Sequence, residues 1–342
     1  MVRYSDQTRR WPSWTASLAA GLALLAAACG GGGENGNPSS GSTSFTAGYS
    51  NVSADDLAAW VAADGGYFKK NGIDVNLTLI SGGSRTMAAL LSGEIQVSQQ
   101  GGSEALASTA GGADLVVIGT LAPVYPYKFE VQANIQSAAD LKGKKVGISN
   151  VGGSSDIATR VALPKMGLDP EKDVNIVEVS SHANRTAALL SGALSGAVDD
   201  PPDSVALESK GLHAIYDLAS QKLTAANTVI VVKRSWLKAH HDLAQKYIDS
   251  IVEAIARMKK DKAFTVGVLK KYFNISDDKA ADTAYDFFTG EVTPSDPYPT
   301  VEQFNDAKSY LGQKNSKIGT VDISKLIDAS LVKSAADRGL DK

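Results

Sequence analysis

Arg85-Thr86-Met87-Ala88-Ala89-Leu90-Leu91-Ser92-Gly93 returns further along the chain as Arg185-Thr186-Ala187-Ala188-Leu189-Leu190-Ser191-Gly192. Each copy follows an alternating apolar run and a turn of small residues, and a second short apolar stretch comes after it. The apolar runs are 73–79 and 174–179, the turns are 81–84 and 180–184, and the later stretches are 95–97 and 196–198. Such internal repetition predicts two similar strand–turn–helix–strand units, and therefore two similar lobes with a cleft between them.

The bulk composition is that of a globular protein rather than of a nucleic-acid binder. The 342 residues are 43% hydrophobic and 21% charged, which suffices for two lobes of ordinary domain size. The net charge of −3 argues against sequence-independent binding of nucleic acid, because that function needs a basic face. The lysine clusters at 142–145 and 259–262 are short and are interpreted as solvated surface.

The N-terminal segment is predicted to be an export signal. A region that contains three arginines precedes the apolar run 18–28, which is too short to cross a bilayer as a mature helix. The run ends in Ala26-Ala27-Ala28-Cys29, which resembles the lipobox of bacterial lipoproteins. The resemblance implies a signal peptide over 1–28 and a lipid anchor on Cys29. The protein would then lie on the outer face of the cytoplasmic membrane or in the periplasm.

Cys29 is the single cysteine of the chain, and residues 29–44 are rich in glycine and serine. This composition predicts a flexible tether. If Cys29 carries the anchor, the folded body has no disulfide, no cysteine nucleophile and no cysteine-metal site. The alternative is an ordinary secreted protein in which Cys29 is buried or incidental.

Alternating strand and helix patterns from 45 to 119 predict a parallel sheet that is covered by helices. Residues 122–132 contain two prolines, break that pattern and are interpreted as a crossover into a second lobe, where a similar series runs from 145 to 218. The apolar run 227–233 is suited to crossing back, and the rest of the chain is predicted to be helical. The predicted domains are lobe I, residues 45–127 with 230–342, and lobe II, residues 128–229.

Several short segments occur in an order that is typical of one family. They are Asp64-Gly65-Gly66-Tyr67-Phe68-Lys69-Lys70-Asn71-Gly72-Ile73-Asp74-Val75, Ala89-Leu90-Leu91-Ser92-Gly93-Glu94, Asp140-Leu141-Lys142-Gly143-Lys144-Lys145-Val146-Gly147, Ala188-Leu189-Leu190-Ser191-Gly192 and Pro201-Pro202. In this order the chain resembles, over 45–342, the solute-binding proteins of ABC importers, in the branch that handles nitrate, sulfonates, taurine and thiamine-pyrimidine precursors. The resemblance implies the α/β, two-lobed periplasmic-binding-protein fold of type II. Each lobe would be a parallel-type sheet with flanking helices, and two crossover strands would form the hinge.

The expected ligand site lies where the two lobes face each other. In open parallel sheets, ligands bind at the carboxyl ends of strands, where helix N-termini offer unpaired N–H groups. Glycine lets the backbone approach a ligand closely, and serine adds a hydroxyl donor. The candidate ligand-binding residues are Ser50, Asn51, Gly83, Ser84, Gly102, Ser103, Gly153, Ser154, Ser155, Asn184, Asp200 and Asn227. The alternative for each is plain capping or turn chemistry.

The acidic pair Asp199-Asp200 ends a strand and precedes a proline, so capping explains it less well than the other acids near helix starts. A carboxylate in the pocket repels a bare anion, which disfavours nitrate or sulfate. The hypothesis is therefore a small organic solute with a donor group, such as an amino-sulfonate or a heteroaromatic compound. The alternative is a solvated pair in a turn. Tyr49, Trp60 and Tyr125 are candidates for stacking on a ring, or for core and rim positions.

These patterns favour a non-catalytic, monomeric receptor without cofactor or metal, which closes on its solute and delivers it to the permease and ATPase subunits of an ABC importer. One rival is an enzyme on the same scaffold, similar to pyrimidine-precursor synthases or decarboxylases. Of the four histidines, only His182 lies near the expected cleft, and no Ser–His–acid pattern is evident. The second rival is a ligand-sensing partner of a signalling protein.

Overall fold

The computed structural model describes residues 43–342. The predicted signal peptide, Cys29 and residues 29–42 of the predicted tether lie outside the described residues. Within the described part of the chain, no helix has both the length and the apolarity that a membrane span requires.

Within residues 43–342, ten strands form two sheets. They are β1 (Ser44–Tyr49), β2 (Asp74–Leu79), β3 (Val97–Gln100), β4 (Leu115–Val124), β5 (Lys128–Val131), β6 (Lys145–Ile148), β7 (Asn175–Glu178), β8 (Gly196–Asp199), β9 (His213–Asp217) and β10 (Thr224–Lys233). The first sheet has the order β2-β1-β3-β10-β4, and the second has the order β7-β6-β8-β5-β9. We call the first sheet with its helices lobe I and the second lobe II.

The helices cover these sheets and complete lobe I. They are α1 (Leu57–Asp64), α2 (Tyr67–Lys70), α3 (Gly83–Ser92), α4 (Gly102–Ala110), α5 (Ser154–Lys165), α6 (His182–Leu190), α7 (Asp203–Ser209), α8 (Arg234–Ala239), α9 (His241–Lys260), α10 (Lys262–Phe273), α11 (Asp278–Phe287), α12 (Asn305–Lys314), α13 (Ser316–Gly319), α14 (Ile323–Leu326) and α15 (Ser330–Asp337). Short 3₁₀ turns lie at Ala54–Asp56, Ala138–Leu141, Ala219–Gln221 and Glu302–Phe304, and a π turn lies at Phe288–Val292.

The two-lobed α/β fold is confirmed, but the sheets are mixed rather than parallel. β1 is parallel to β2 and β3, and β6 is parallel to β7 and β8. β10 is antiparallel to β3 and β4, and β5 is antiparallel to β8 and β9. Alternation alone does not predict this, because a strand that arrives from the other lobe enters its sheet from the opposite end.

The repeated sequence segments form equivalent helices. α3 follows edge strand β2 and leads into β3, and α6 follows edge strand β7 and leads into β8. The strand that crosses back differs from the expected boundary. β10 begins at Thr224, opposite Val124 of β4, so residues 224–229 pair within the first sheet.

The core of lobe I explains why its inner strand β10 and its C-terminal helices are apolar. The side chains of residues 229–232 on β10 are fully buried, as is normal for a strand that is covered on both faces. Trp60 of α1 is also fully buried and stacks on Tyr272 of α10 with ring centroids 4.7 Å apart. Tyr247 of α9 stacks on Phe68 of α2 at 5.4 Å. The C-terminal helices thus pack on the first lobe.

In the C-terminal part of the chain, the sequence predicts one helix over 324–336, but this helix is interrupted in the structure. α14 ends at Leu326 and α15 begins at Ser330. Between them Ile327 forms a parallel bridge with Val117, and the Asp328 N–H donates to the Val117 carbonyl at 2.9 Å. The edge strand β4 has free backbone groups there, and pairing with them competes with the helical hydrogen bonds.

Candidate functional site

A polar cavity of about 40 Å³ lies between the two lobes, and both lobes contribute to its wall. Lobe I supplies Ser50, Asn51, Ser53, Asp55, Asp56, Gly83, Gly101, Glu104, Asn227 and Thr228, lobe II supplies Ser149, Asn150, Gly153, Ser154, Ser155, His182 and Arg185, and Tyr127 comes from the segment between β4 and β5. A volume of this size holds a few water molecules. A larger solute would require the lobes to move apart.

The structure brings seven of the twelve candidate residues together in this wall. They are Ser50, Asn51, Gly83, Gly153, Ser154, Ser155 and Asn227. All but Asn227 lie where a strand ends and a helix begins, so the rule for open sheets locates this part of the wall correctly. Their role in ligand binding stays a prediction.

The other five candidates do not line the cavity, and local contacts explain their positions. Ser84 and Asn184 are exposed, and the Asn184 side chain donates to the Val179 carbonyl at 2.9 Å. A β-carbon on Gly102 would collide with Ala226 and Phe304, so this glycine serves close packing. Ser103 donates to Glu104 at 2.9 Å. Asp200 lies behind the wall, where it accepts a hydrogen bond from Ser53.

Sequence reasoning missed the charged part of the wall. Asp56 and Glu104 lie near predicted helix starts, where capping and dipole compensation explain an acidic residue without a ligand, and Arg185 belongs to the repeated segment. Asp55 stands beside Asp56 in the 3₁₀ turn Ala54–Asp56, directly before α1. No local pattern distinguishes a capping carboxylate from one that faces a cavity, because the facing residues are distant in sequence.

The stacking candidates Tyr49, Trp60 and Tyr125 are buried outside this wall, which contains Tyr127 instead.

Asp55 is anchored through one carboxylate oxygen and unpaired at the other. Its Oδ2 accepts from Asn227 Nδ2 at 2.7 Å and from Thr228 Oγ1 at 2.6 Å, and its Oδ1 has no hydrogen-bond partner. Burial raises the pKa of Asp55 to about 6. Asp56 is likewise buried with an unpaired Oδ1, and burial together with the charge of Asp55 raises the pKa of Asp56 well above its usual range.

His182 is surrounded by carboxylates of lobe II. Its Nε2 lies 3.0 Å from Asp203 Oδ2, 3.1 Å from Asp199 Oδ1 and 3.7 Å from Asp200 Oδ1. Burial and the guanidinium of Arg185 lower the pKa of His182, but the carboxylates outweigh them and raise it to about 10. His182 is therefore a cation at neutral pH, already paired within its own lobe.

Arg185 is buried and is held beside the same carboxylates. Its Nη1 donates to Ser149 Oγ at 2.9 Å, and its Nη2 lies 3.6 Å from Asp199 Oδ1. Burial opposes ionisation of Asp199, but His182 and Arg185 together hold the pKa of Asp199 below its usual range. The Nε of Arg185 is buried without a partner.

Glycines of both lobes make room for Glu104. A β-carbon on Gly83 or Gly101 of lobe I, or on Gly153 of lobe II, would collide with the carboxylate of Glu104. Gly83 and Gly153, though not Gly101, are candidates for letting the backbone approach a ligand. In the structure they let a carboxylate of lobe I approach the first turn of α5. Burial raises the pKa of Glu104 above its usual value.

Direct hydrogen bonds join the lobes around the cavity. Ser53 Oγ in lobe I donates to Asp200 Oδ2 in lobe II at 3.1 Å. Ser154 Oγ, at the start of α5, donates to the Asn227 carbonyl of β10 at 2.7 Å. The two lobes therefore meet in this structure through polar groups that also border the cavity.

Among the described residues, one group of side chains converges closely enough to hold a metal ion: His182, Asp199 and Asp203. These groups already pair with one another, and Arg185 lies against Asp199. A bound cation would have to displace the protonated imidazole. The arrangement is explained as a buried ion-pair network.

Comparisons with known proteins concern the family and the fold of the chain. Residues 55–263 match the family model described as NMT1/THI5 like. The putative binding protein YtlA of Bacillus subtilis (strain 168) is 26% identical over 231 residues, which are 66% of this chain and 69% of that protein. The periplasmic aliphatic sulphonate binding protein SsuA from Escherichia coli is 21% identical with a TM-score of 0.67, over 84% of this chain and 92% of that chain. The desulfurization enzyme DszB is 16% identical with a TM-score of 0.63, over 86% of this chain and 99% of that chain.

The fold and the cleft between its lobes define a protein of the periplasmic-binding-protein fold. The family match covers more than half of the sequence, and the chain belongs to the NMT1/THI5-like family. Since the structural neighbours are less than 25% identical, they show the fold alone, and both a binding protein and an enzyme occur among them.

Proposed function

We propose that this protein is an extracytoplasmic receptor, which captures a small organic solute between its lobes and delivers it to an ABC import permease. The observation that carries the proposal is the polar cavity, whose wall combines residues of both lobes with buried atoms that lack partners. A solute that satisfies atoms on both sides stabilises the closed form selectively, which is the requirement for ligand-driven closure.

The hinge is proposed to lie in the two segments that connect the sheets. β4 and β5 are separated by residues 125–127, and β9 is followed by the connection to β10. Tyr127 lies in the first of these connections and also lines the cavity. A solute in the cavity would therefore contact a connecting segment directly. Small backbone changes in that segment would rotate one lobe against the other.

The proposed location follows from the N-terminal sequence. A signal peptide over 1–28 and a lipid-modified Cys29 would tether the receptor at the outer face of the membrane. The relatives that are named as binding proteins, one of them periplasmic, support export of this chain as well. Metabolic labelling with a radioactive fatty acid should mark the wild type and leave Cys29→Ser unlabelled.

The protonation of His182 argues against an enzymatic function. A general base must be unprotonated to accept a proton, and Asp199 and Asp203 hold His182 protonated. The hydrogen bonds that Ser53 and Ser154 make in the wall bind the lobes together. These serines are therefore not presented to a base.

The proposal is tested by a thermal-shift screen of the folded protein against sulfonates, amines, amino acids, pyrimidines and aromatic acids, followed by small-angle scattering with each solute that binds. We expect at least one solute to raise the melting temperature and to shift the lobes towards the closed form, without being consumed. Turnover of the bound solute, or binding without any effect on lobe closure, would contradict the receptor function.

A further inference from the structure

We propose that the solute is a primary ammonium compound with an apolar body, whose ammonium group lies against Asp55 and Asp56 and whose body extends into a neighbouring groove. The inference rests on the proposed receptor function and specifies the solute class of the same cleft. It differs from the sulfonate that the name of SsuA assigns to that neighbour.

The first argument for an ammonium compound is the charge balance of the cleft. The two cations of the wall, His182 and Arg185, are already paired with carboxylates behind it, as Asp199 contacts both and Asp203 contacts His182. The wall carboxylates form no ion pair of this kind, although the charge of His182 partly offsets the effect of burial on the pKa of Asp55. They are Asp55, Asp56 and Glu104. An entering anion would meet this surplus of carboxylates, whereas an entering cation would be attracted to it.

The second argument is that carboxylate oxygens of the cavity wall lack hydrogen-bond donors. Asp55 is 5% exposed and Asp56 is 3% exposed, both line the cavity, and the Oδ1 atom of each lacks a hydrogen-bond partner. Buried acceptors without donors are costly, and an ammonium group supplies three donors together with the compensating charge. The unpaired Nε of Arg185 leaves room for one acceptor atom on the same solute.

The neighbouring groove indicates an organic cation rather than a metal ion. This groove has a volume of about 360 Å³, opens between the lobes and shares Asn51 and His182 with the polar cavity. Its apolar surface comes from both lobes, namely Val52, Leu79, Tyr272 and Phe273 from lobe I and Ala183 and Leu190 from lobe II. Leu79 and Leu190 are 43% and 49% exposed, so a covering apolar body would remove both from water.

The pH dependence follows from the groups around Asp55. The titratable and charged groups that face it are Asp56, Asp200, His182, Arg185 and Tyr127. Binding of an ammonium group is favoured by ionised carboxylates, so its affinity should rise as the pH passes the pKa of Asp55, about 6, and should go on rising as Asp56, whose pKa is also raised, ionises. A sulfonate would show the opposite trend.

The test compares matched probes by calorimetry on the folded protein at pH 5 and pH 7.5: 3-phenylpropylammonium, propylammonium, 3-phenylpropane-1-sulfonate and Zn²⁺ alone. We expect 3-phenylpropylammonium to bind best and to bind more tightly at pH 7.5.

Asp56→Asn should weaken the binding of 3-phenylpropylammonium about tenfold or more, and Asp55→Asn should do the same. Asp74→Asn, at the exposed start of β2, is the matched control and should bind as the wild type. Asp56 accepts no side-chain hydrogen bond in the cleft, so Asp56→Asn breaks no contact between residues there. This variant therefore still tests the proposal if Asp55→Asn fails to fold.

The possible outcomes separate this inference from the receptor function. Preferred binding of the sulfonate, unchanged ammonium binding in Asp56→Asn, or tighter binding of Zn²⁺ at Asp55 and Asp56 would overturn the ammonium assignment and leave the receptor intact. If none of these probes binds but another solute of the wider screen closes the lobes, the assignment is wrong as well. If nothing binds at all, both proposals fail.

Discussion

Ser53 and Asp200 are joined across the cleft by a hydrogen bond of 3.1 Å from the serine hydroxyl to the carboxylate. Both side chains are buried, and Ser53 also caps the 3₁₀ turn that carries Asp55 and Asp56. One serine therefore orders the acidic wall of lobe I and fastens it to lobe II. Any movement that opens the cleft must break this bond.

Replacement of Ser53 by alanine should favour the open form. The hydrogen bond exists only when the lobes meet, and a bond of this kind contributes about 0.5–1.5 kcal/mol. The ratio of closed to open molecules should fall about 2- to 10-fold, which small-angle scattering detects as a larger radius of gyration. Ser84→Ala, at an exposed position of α3, is the control and should leave the scattering unchanged. An unaltered profile for Ser53→Ala would show that this bond does not hold the lobes together.

Gly101→Ala should hinder closure for a steric reason. The added β-carbon would collide with Ser154 Oγ of the opposite lobe and with Glu104. Hydrogen exchange at the start of α5 should increase, and every solute of the cleft should bind more weakly. Gly267→Ala is the matched control, since its β-carbon meets nothing on the exposed face of α10, and it should stabilise that helix by about 0.5–1 kcal/mol. Normal closure of the Gly101 variant would refute the close approach of the lobes there.

Glu130 should make the protein less stable as the pH rises. It lies fully buried on β5, neither carboxylate oxygen has a partner, and burial followed by the charge of Glu208 raises its pKa from 4.5 to about 8. A raised carboxyl pKa means that the folded state holds the proton longer, so stability declines between pH 4.5 and pH 8. Glu130→Gln should remove this decline and raise the melting temperature at pH 9 by about 2 °C or more. Glu94→Gln, on the exposed surface, should not.

Of the pH values from 6 to 10, His182→Gln should destabilise the folded protein most clearly at pH 6. Removing the cation leaves Asp199, Asp200 and Asp203 with less compensation, and loss of one partner from a buried ion pair costs about 3 kcal/mol. Because the pKa rises from 6.5 to about 10 on folding, this stabilisation is complete below pH 6.5 and is lost as the pH rises through 10. Urea unfolding at pH 6, 8 and 10 should show a difference from wild type that shrinks with pH. The exposed His241→Gln is the control, and a constant difference would contradict the assigned charge.

Much of the architecture was predictable because it is encoded in local patterns. The repeated segment places α3 and α6 at equivalent points, and the break between Asp64 and Tyr67 follows from two adjacent glycines. The antiparallel entry of β5 and β10 was not predictable, since strand direction depends on which lobe the chain arrives from.

The sequence by itself determined the two lobes and their strands and helices. It also determined the part of the cavity wall that lies at strand ends, such as Ser50 and Gly153. The reason is that apolar periodicity and turn residues act over a few neighbouring positions. Only the tertiary structure decided which charges meet there. Asp55 lies opposite Asn227 and Thr228, and Glu104 lies against Gly153. These groups are far apart along the chain, and the balance of charge in the cleft depends on their distances in space, which no local pattern records.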